Sequence, residues 1–524
     1  MTLLGEAVAA HATARPGARA LVEVGVHGDR EWSWADLVGA TATARAELEQ
    51  LEVIQGEIVA YQLQNRLEFV SLTLAILELG ATCMPLMPIF RERELAFMLG
   101  EARARVLYVP DRFHGHDHLA MARRLQRQLP ALEHVIAVAD APRRAGPVGQ
   151  VPQTSPTAPR SGASDDQIVD LLFTSGSTGE PKGALHRHDR LMAAADRHIR
   201  HFGLSAEDVI FCPAPLAHQT GFLYGMWMAL SLGAPLVVQE VWQGAAGFAA
   251  IRRHSVSFVQ VATPFLADLV AVAEERSETP DSLAIFVATG AAVPRELARR
   301  ARTVLDAEVG GGFGSTESCM AAAFVPGEDP DRAWRTDGRG MAGVSLRVVD
   351  DAGSVLAPGI EGNFEIGTST LFSGYLNRPD LTAQALTDDG FYRTGDLATL
   401  DADGYLRITG RVKDVINRGG EKVPVADVEQ LMYEMDTVSE VAIVAMPDPR
   451  LVERACAFVV AAPGTNVDLE AVQGHLLSAG LSKPYWPERV LVVDELPRTP
   501  SGKIKKFVLR ERAAALVQDK VELT

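Results

Sequence analysis

Ile168 to Phe173 is an apolar run of strand length whose only charge is Asp170, and it leads directly into TSGSTGEPKG. The run predicts a buried strand. The Gly/Ser/Thr stretch behind it cannot continue as a helix, but it can curl its backbone N–H groups around something small and negative. Hydroxyls from Thr174, Ser175, Ser177 and Thr178 add donors, and Lys182 adds a point charge. This is a phosphate cradle by chemistry. Its spacing is not the GxxxxGK[ST] of the common nucleotide-binding loop.

The surrounding pattern predicts the scaffold. Residues 57 to 110 alternate strand-like runs (EIVAYQL, RVLYVP) with helix-like ones (RLEFVSLTLAILELG, ERELAFMLGEA). Such alternation implies βαβ units and mostly parallel sheets. Val70 to Phe90 contains Glu78, Pro85 and Pro88, so it reads as a buried helix entering a strand and not as a membrane span. Residues 139–166 are rich in Pro, Gly and Ser and read as a surface loop. Further α/β alternation follows to about Gly311. After Asp337 the texture changes to short strands with turn signals, among them a DADG hairpin signal. The expectation is an α/β fold: a large N-terminal domain over 1–412, mostly parallel sheets plus a β-rich part, and a small mobile α+β domain over 413–524.

Composition narrows the function. A net charge of −17 over 524 residues excludes a nucleic-acid partner, which needs a basic footprint. It leaves ATP open, because a local cluster can hold ATP inside an acidic protein. Cys83, Cys212, Cys319 and Cys456 lie far apart and read as reduced thiols of a cytoplasmic protein. The first residues carry Glu6 and His11 where a signal peptide would be apolar, so an amphipathic helix is expected there.

Four further stretches follow the cradle. GFGSTES (Gly312–Ser318) could stack a flat ring on Phe313 and place Glu317 on magnesium. YRTGDL presents Asp396, suited to a diol. GRVKDVINRGGEKV packs charges and glycines at the expected domain boundary. PRTPSGKIKK places Lys503 on a turn near the C-terminus.

Together and in this order, these stretches resemble the adenylate-forming superfamily of acyl-CoA synthetases, peptide-synthetase adenylation domains and luciferases. PLMPIFRERELAFML and PLAHQTGFLYG resemble more particularly the short/medium-chain and cyclohexanecarboxylate-type acid–CoA ligases. The resemblance spans nearly the whole chain. It implies an AMP-forming acid–CoA ligase that uses ATP, Mg2+ and CoA, as a monomer or homodimer. It implies that Thr174, Ser175, Gly176, Ser177, Thr178, Gly179 and Lys182 wrap the β- and γ-phosphates, with Thr178 and Glu317 near magnesium. Gly290, Ala291, Ala292, Gly312, Phe313, Gly314, Ser315 and Thr316 would form the adenine slot, and Asp396 and Arg411 would hold the ribose. His218 would sit beside the carboxylate, and Lys413 would be the hinge. Lys503 would reach back into the site during adenylation. Gln219, Phe222, Gln260, Thr289 and Ser318 would line the acid pocket, a mainly apolar lining for a compact fatty, alicyclic or aromatic acid.

His186 and His188 are expected only to cap or solvate the following helix, and Cys319 to be pocket wall and not a nucleophile. Three departures concern the second half-reaction: Val452 where relatives have Gly, KPYWPE with only Lys483 of a basic cluster, and TGAAVP at Thr289–Pro294. Some relatives load a carrier protein, or activate nitrite for coupling to an aryl amine, and the resemblance leaves both open.

Overall fold

The computed structural model describes residues 3–25, 28–139, 167–174, 181–290, 293–418, 421–448, 450–498 and 503–521. The expected loop over 139–166 lies outside these residues but for its first position.

Strand Ile58–Tyr61, helix Leu67–Glu78, strand Thr82–Pro85, helix Glu92–Ala102 and strand Val106–Pro110 follow one another as the alternation predicts. Ile58 pairs with Thr82 and Val59 with Val106, both parallel. This sheet has six strands, with Ile168–Thr174 beside Thr82–Pro85 and the antiparallel Lys182–Arg187 at the edge. Helix Leu67–Glu78 buries every residue from Phe69 to Leu77. A helix apolar all round must be enclosed on all sides. Its apolar residues belong to one cluster that includes Val59 and Tyr61 of one large sheet and Phe211 and Val237 of the other. Each such Leu, Ile or Phe stabilises the fold by about 1.5–3 kcal/mol.

The second sheet has nine strands among the described residues. Its parallel centre runs Arg19–Val24, Leu236–Gln239, Ile210–Cys212, Phe258–Ala262, Ile285–Thr289, Glu308–Ser315. Ala262, Thr289 and Gly312 therefore form one row at the carboxyl ends of three adjacent strands. In open α/β sheets that edge is where ligands bind.

Beyond it, Val344–Val349, Gly362–Thr368, Tyr392–Leu400 and Leu406–Arg411 make a four-stranded antiparallel sheet. The DADG signal is the turn between its last two strands, closed by the Gly404 N–H on the Asp401 carbonyl at 3.1 Å. From Ile416 onward, strands Val438–Asp448 and Val452–Ala461 with helices Val425–Tyr433, Leu469–Ser478 and Lys506–Val521 close two apolar clusters of their own. Val452 sits in this hairpin at φ 68 and is 70% exposed. A β-branched residue is costly in that left-handed conformation and glycine is not, which accounts for the glycine expected there.

Two histidines differ from expectation. His186 lies in the strand Lys182–Arg187 and His188 opens the next helix, yet both are buried. Neither is solvated. The His188 Nε2 accepts from the Leu4 N–H at 3.1 Å, so that ring ties the N-terminal helix to the core.

The segment Thr220–Trp227 forms π-type turns, a geometry often found at functional sites. It packs on the chain just before it because Gly221 and Gly225 lack side chains. A Cβ at Gly221 would overlap the Pro215 carbonyl, and one at Gly225 would stand 2.5 Å from Cys212 Sγ. Gly221→Ala is expected to destabilise by about 1–3 kcal/mol. A thermal melt of the variant checks this, and an unchanged midpoint would contradict the packing argument.

Candidate active site

Lys503 is carried by the last segment of the chain, yet it ends at the carboxyl edge of the nine-stranded sheet. Its Cε lies 3.3 Å from the point a Cβ at Gly290 would occupy. Gly290 has φ +83 and follows the edge residue Thr289, so glycine is required there for conformation as well as for space. The amine is enclosed, and burial pushes its pKa below the usual lysine range, with Arg411 acting the same way. Asp396 and Glu317 act against that shift, so both carboxylates lie within electrostatic reach of the amine.

Asp396 and Arg411 face one another on neighbouring antiparallel strands. Arg411 Nε donates to Asp396 Oδ1 at 2.9 Å. Burial raises the Asp396 carboxyl above its ordinary range, and Arg411 and Lys503 oppose that rise.

Glu317 is held from two sides. Its Oε1 accepts from the Tyr375 hydroxyl at 2.8 Å, and its backbone carbonyl accepts from the Phe372 N–H at 2.7 Å. Lys182 Nζ lies 5.2 Å from the centre of the Tyr375 ring. Tyr375 therefore links the lysine after the cradle to the carboxylate. It was missed in the sequence because nothing in FSGYLNRP signals a contact with residues so far away. The turn after Phe313 is closed by Ser315 and Ser318, whose hydroxyls lie 3.1 Å apart. The buried Ser318 hydroxyl also donates to the Cys319 carbonyl at 2.9 Å, so it serves this turn. Phe313 packs edge-on against Phe364 with ring centres 5.3 Å apart.

His218 stands on the turn between strand Ile210–Cys212 and the π-type segment. Its Nδ1 accepts from the Thr220 N–H at 3.2 Å, which leaves the ring proton on Nε2. Burial, helped by the nearby Lys503, lowers its pKa to about 4, so the imidazole is neutral at physiological pH. The turn is braced by Asn65, also missed in the sequence. Its amide donates to the Ala214 carbonyl, and its Oδ1 accepts from the Leu216 N–H, both at 2.8 Å.

Gln219, Phe222, Gln260 and Thr289 are all buried. Gln219 donates to Cys319 Sγ at 3.7 Å. The Cys319 thiol is pushed up to about 12 by burial, which fits a wall and not a nucleophile. Thr174 and Lys182 are paired across the first strands of the cradle. Ser175, Gly176, Ser177, Thr178 and Gly179 lie outside the described residues, as do Ala291, Ala292 and the side chain of Lys413. The structure thus brings Lys503, Asp396, Arg411, Glu317, Gly290 and His218 to one edge. Lys182 joins them through Tyr375.

The chain is similar to known proteins along most of its length. Residues 8–376 match the AMP-binding enzyme family, and residues 427–503 match the AMP-binding enzyme C-terminal domain. The chain is 36% identical over 463 residues to the medium-chain fatty-acid–CoA ligase of Escherichia coli (87% of this chain, 81% of the relative). It is 31% identical over 519 residues to the indoleacetate–CoA ligase of Aromatoleum aromaticum (98% of each chain). Its fold matches the crystal structure of the anthranilate CoA ligase AuaEII in complex with anthranoyl-AMP. That match has a TM-score of 0.88 and 23% identity, covering 99% of this chain and 98% of the other. The chain belongs to the AMP-binding enzyme family and is an AMP-forming ligase.

Proposed function

We propose that the enzyme adenylates a compact carboxylic acid with ATP, releases pyrophosphate, and passes the acyl group to CoA. The observation that carries this reading is the Lys503 amine at the sheet edge, within reach of Asp396 and Glu317 and beside His218. The curated relatives named above are acid–CoA ligases, which does not favour the nitrite-activating alternative.

The chemistry explains why such a cluster is needed. A carboxylate attacking the α-phosphate brings one negative charge against another. Catalysis then rests on positioning and on cations, because little covalent work falls to the protein. In this reading Lys503 meets the charge that develops between the acid and the α-phosphate. Lys182 and the cradle from Thr174 hold the β- and γ-phosphates. Asp396 accepts from the ribose hydroxyls while Arg411 favours its ionised form. Phe313 and the backbone from Gly290 and Gly312 to Thr316 border the adenine. His218, neutral and donating from Nε2, orients the acid's carboxylate without adding charge.

Glu317 suits a hard cation, since it offers carboxylate oxygen beside the phosphate cradle. With Thr178 it would hold Mg2+, which supplies charge neutralisation on the phosphates when bound. The acid pocket would be lined by Gln219, Phe222, Gln260 and Thr289, with no lysine or arginine among them to meet a second carboxylate. We place the domain boundary at Val412/Lys413, in the short turn Val412–Asp414 that leads out of strand Leu406–Arg411. Rotation there would withdraw Lys503 and admit CoA.

Pyrophosphate exchange into ATP tests the reading. Exchange is expected only with an acid present, and CoA should turn the adenylate into a thioester. ADP as product, or exchange driven by nitrite and an aryl amine without any acid, would overturn it.

Lys503→Ala should lower adenylation by about 100-fold or more, as for loss of a donor aimed at developing charge. Thioester formation from supplied acyl-AMP should survive much better, and equal loss of both would contradict the assignment. The sign with pH is also set. Lys503 must be protonated, so kcat/KM for ATP should fall as pH rises through its depressed pKa, below the ordinary 10.5. Lys503→Arg should move that limb upward.

A further inference from the structure

Arg407 and Asp427 stand on opposite sides of the proposed boundary at Val412/Lys413, and the Arg407 guanidinium donates to Asp427 Oδ1. Arg407 belongs to strand Leu406–Arg411 of the large part. Asp427 belongs to helix Val425–Tyr433 of the small one. A rotation at Lys413 large enough to withdraw Lys503 must part this helix from the strand. The pair breaks with it.

The helix also grips the segment that carries Lys503. Successive helix residues turn by about 100°, so Asp427 and Glu429 flank Val428 on either side. Val428 is fully buried in a core of the small body. On one flank Asp427 reaches Arg407. On the other, Glu429 Oε1 accepts from Lys506 Nζ at 2.7 Å and from the Ile443 N–H at 2.6 Å. Lys506 stands just three residues after Lys503. Between them Lys505 adds a backbone bond, its N–H donating to the Pro497 carbonyl at 2.7 Å.

The strand closes the frame. Arg411, at the end of the strand that carries Arg407, donates to Asp396 at 2.9 Å, and Asp396 lies within electrostatic reach of Lys503. One strand thus holds both the residue that fixes the helix and the residue beside the lysine's target. The Arg407 and Asp427 side chains are 42% and 47% exposed. A pair so open to water adds little to folding. It is made in one orientation only, however, and a balance between two orientations is shifted by whatever one of them alone gains. Its effect therefore falls on orientation and not on the fold.

We propose that Arg407 and Asp427 are positioning residues for adenylation: their ion pair latches the small body in the orientation that delivers Lys503 to the sheet edge. Opening the latch releases that body for the second half-reaction. This rests on the acid-activating reading above and names the contact that sets its two orientations apart.

The test measures the two half-reactions separately on the full chain, with whichever of octanoate, benzoate and cyclohexanecarboxylate the native enzyme turns over fastest. Asp427→Asn and Arg407→Gln should each lower kcat for acid-dependent pyrophosphate exchange by about two- to fivefold. KM for ATP should change by less than about twofold, since neither residue touches the nucleotide site. Thioester formation from the supplied acyl-AMP and CoA should hold or rise. Asp427→Arg, which sets two cations together, should lower exchange further, and adding Arg407→Asp to it should restore exchange to near the native rate. Between about 0.05 and 0.5 M salt, native exchange should fall relative to thioester formation, because salt screens an exposed pair, while Asp427→Asn should show no such fall. All variants should melt within a few degrees of the native protein. Equal loss in both half-reactions would overturn the proposal, as would unchanged exchange in the single variants or a swapped pair no better than Asp427→Arg alone. Those results defeat this inference and leave acid activation standing. Exchange with no acid at all, in the native enzyme, defeats the acid-activating reading and this inference with it.

Discussion

The site turns on one amine, carried from the last segment of the chain to the edge of the nine-stranded sheet. Lys503 gives up hydration beside Arg411, a cation that opposes its charge, and Asp396 and Glu317 offset part of that cost. A charge so placed is strongly coupled to whatever enters beside it, because little solvent screens the interaction. The surrounding features serve the same end. Gly290 clears the space for the lysine stem, Tyr375 holds Glu317 in place, and Arg411 opposes the rise that burial gives the Asp396 pKa. Neutral His218 adds a donor without a competing charge.

The same group explains why the chain has two parts. The residues from Ile416 onward have apolar clusters of their own, so they form a body that could move without exposing the large core. Strands Phe258–Ala262 and Ile285–Thr289 and the π-type segment, which line the proposed acid pocket, belong to the large part. In the proposed reading, recognition of the acid and delivery of the cation are thereby separated. The Val452 hairpin lies in the smaller body, where the strained φ and the exposed side chain mark a departure from the expected glycine.

Several features were legible because they are local. The alternation over 57–110 predicts its strands and helices, since each run must bury an apolar face with its own period. DADG forms its turn, and the strand before the cradle forms as its apolar run requires. The motifs around Lys503, Asp396 and Glu317 carry their chemistry in their residue types and order. His186 and His188 were misjudged because polarity in a short window reads as exposure. Their burial depends on the helix Leu4–Ala14 and on the turn near Thr316, both distant in sequence.

The sequence by itself determined the residue types, the order of the motifs and the class of fold, because these follow from periodicity and from chemistry within a few residues. The tertiary structure alone decided which groups meet. Tyr375 on Glu317, Asn65 under the His218 turn, and His198 beside Gln260 join residues far apart in the chain. Their encounters follow from the register of parallel strands and from helix packing across them, which no local pattern encodes. The low pKa values of His218 and His198 belong to the same level, since burial is their main cause and burial is a property of the assembled core.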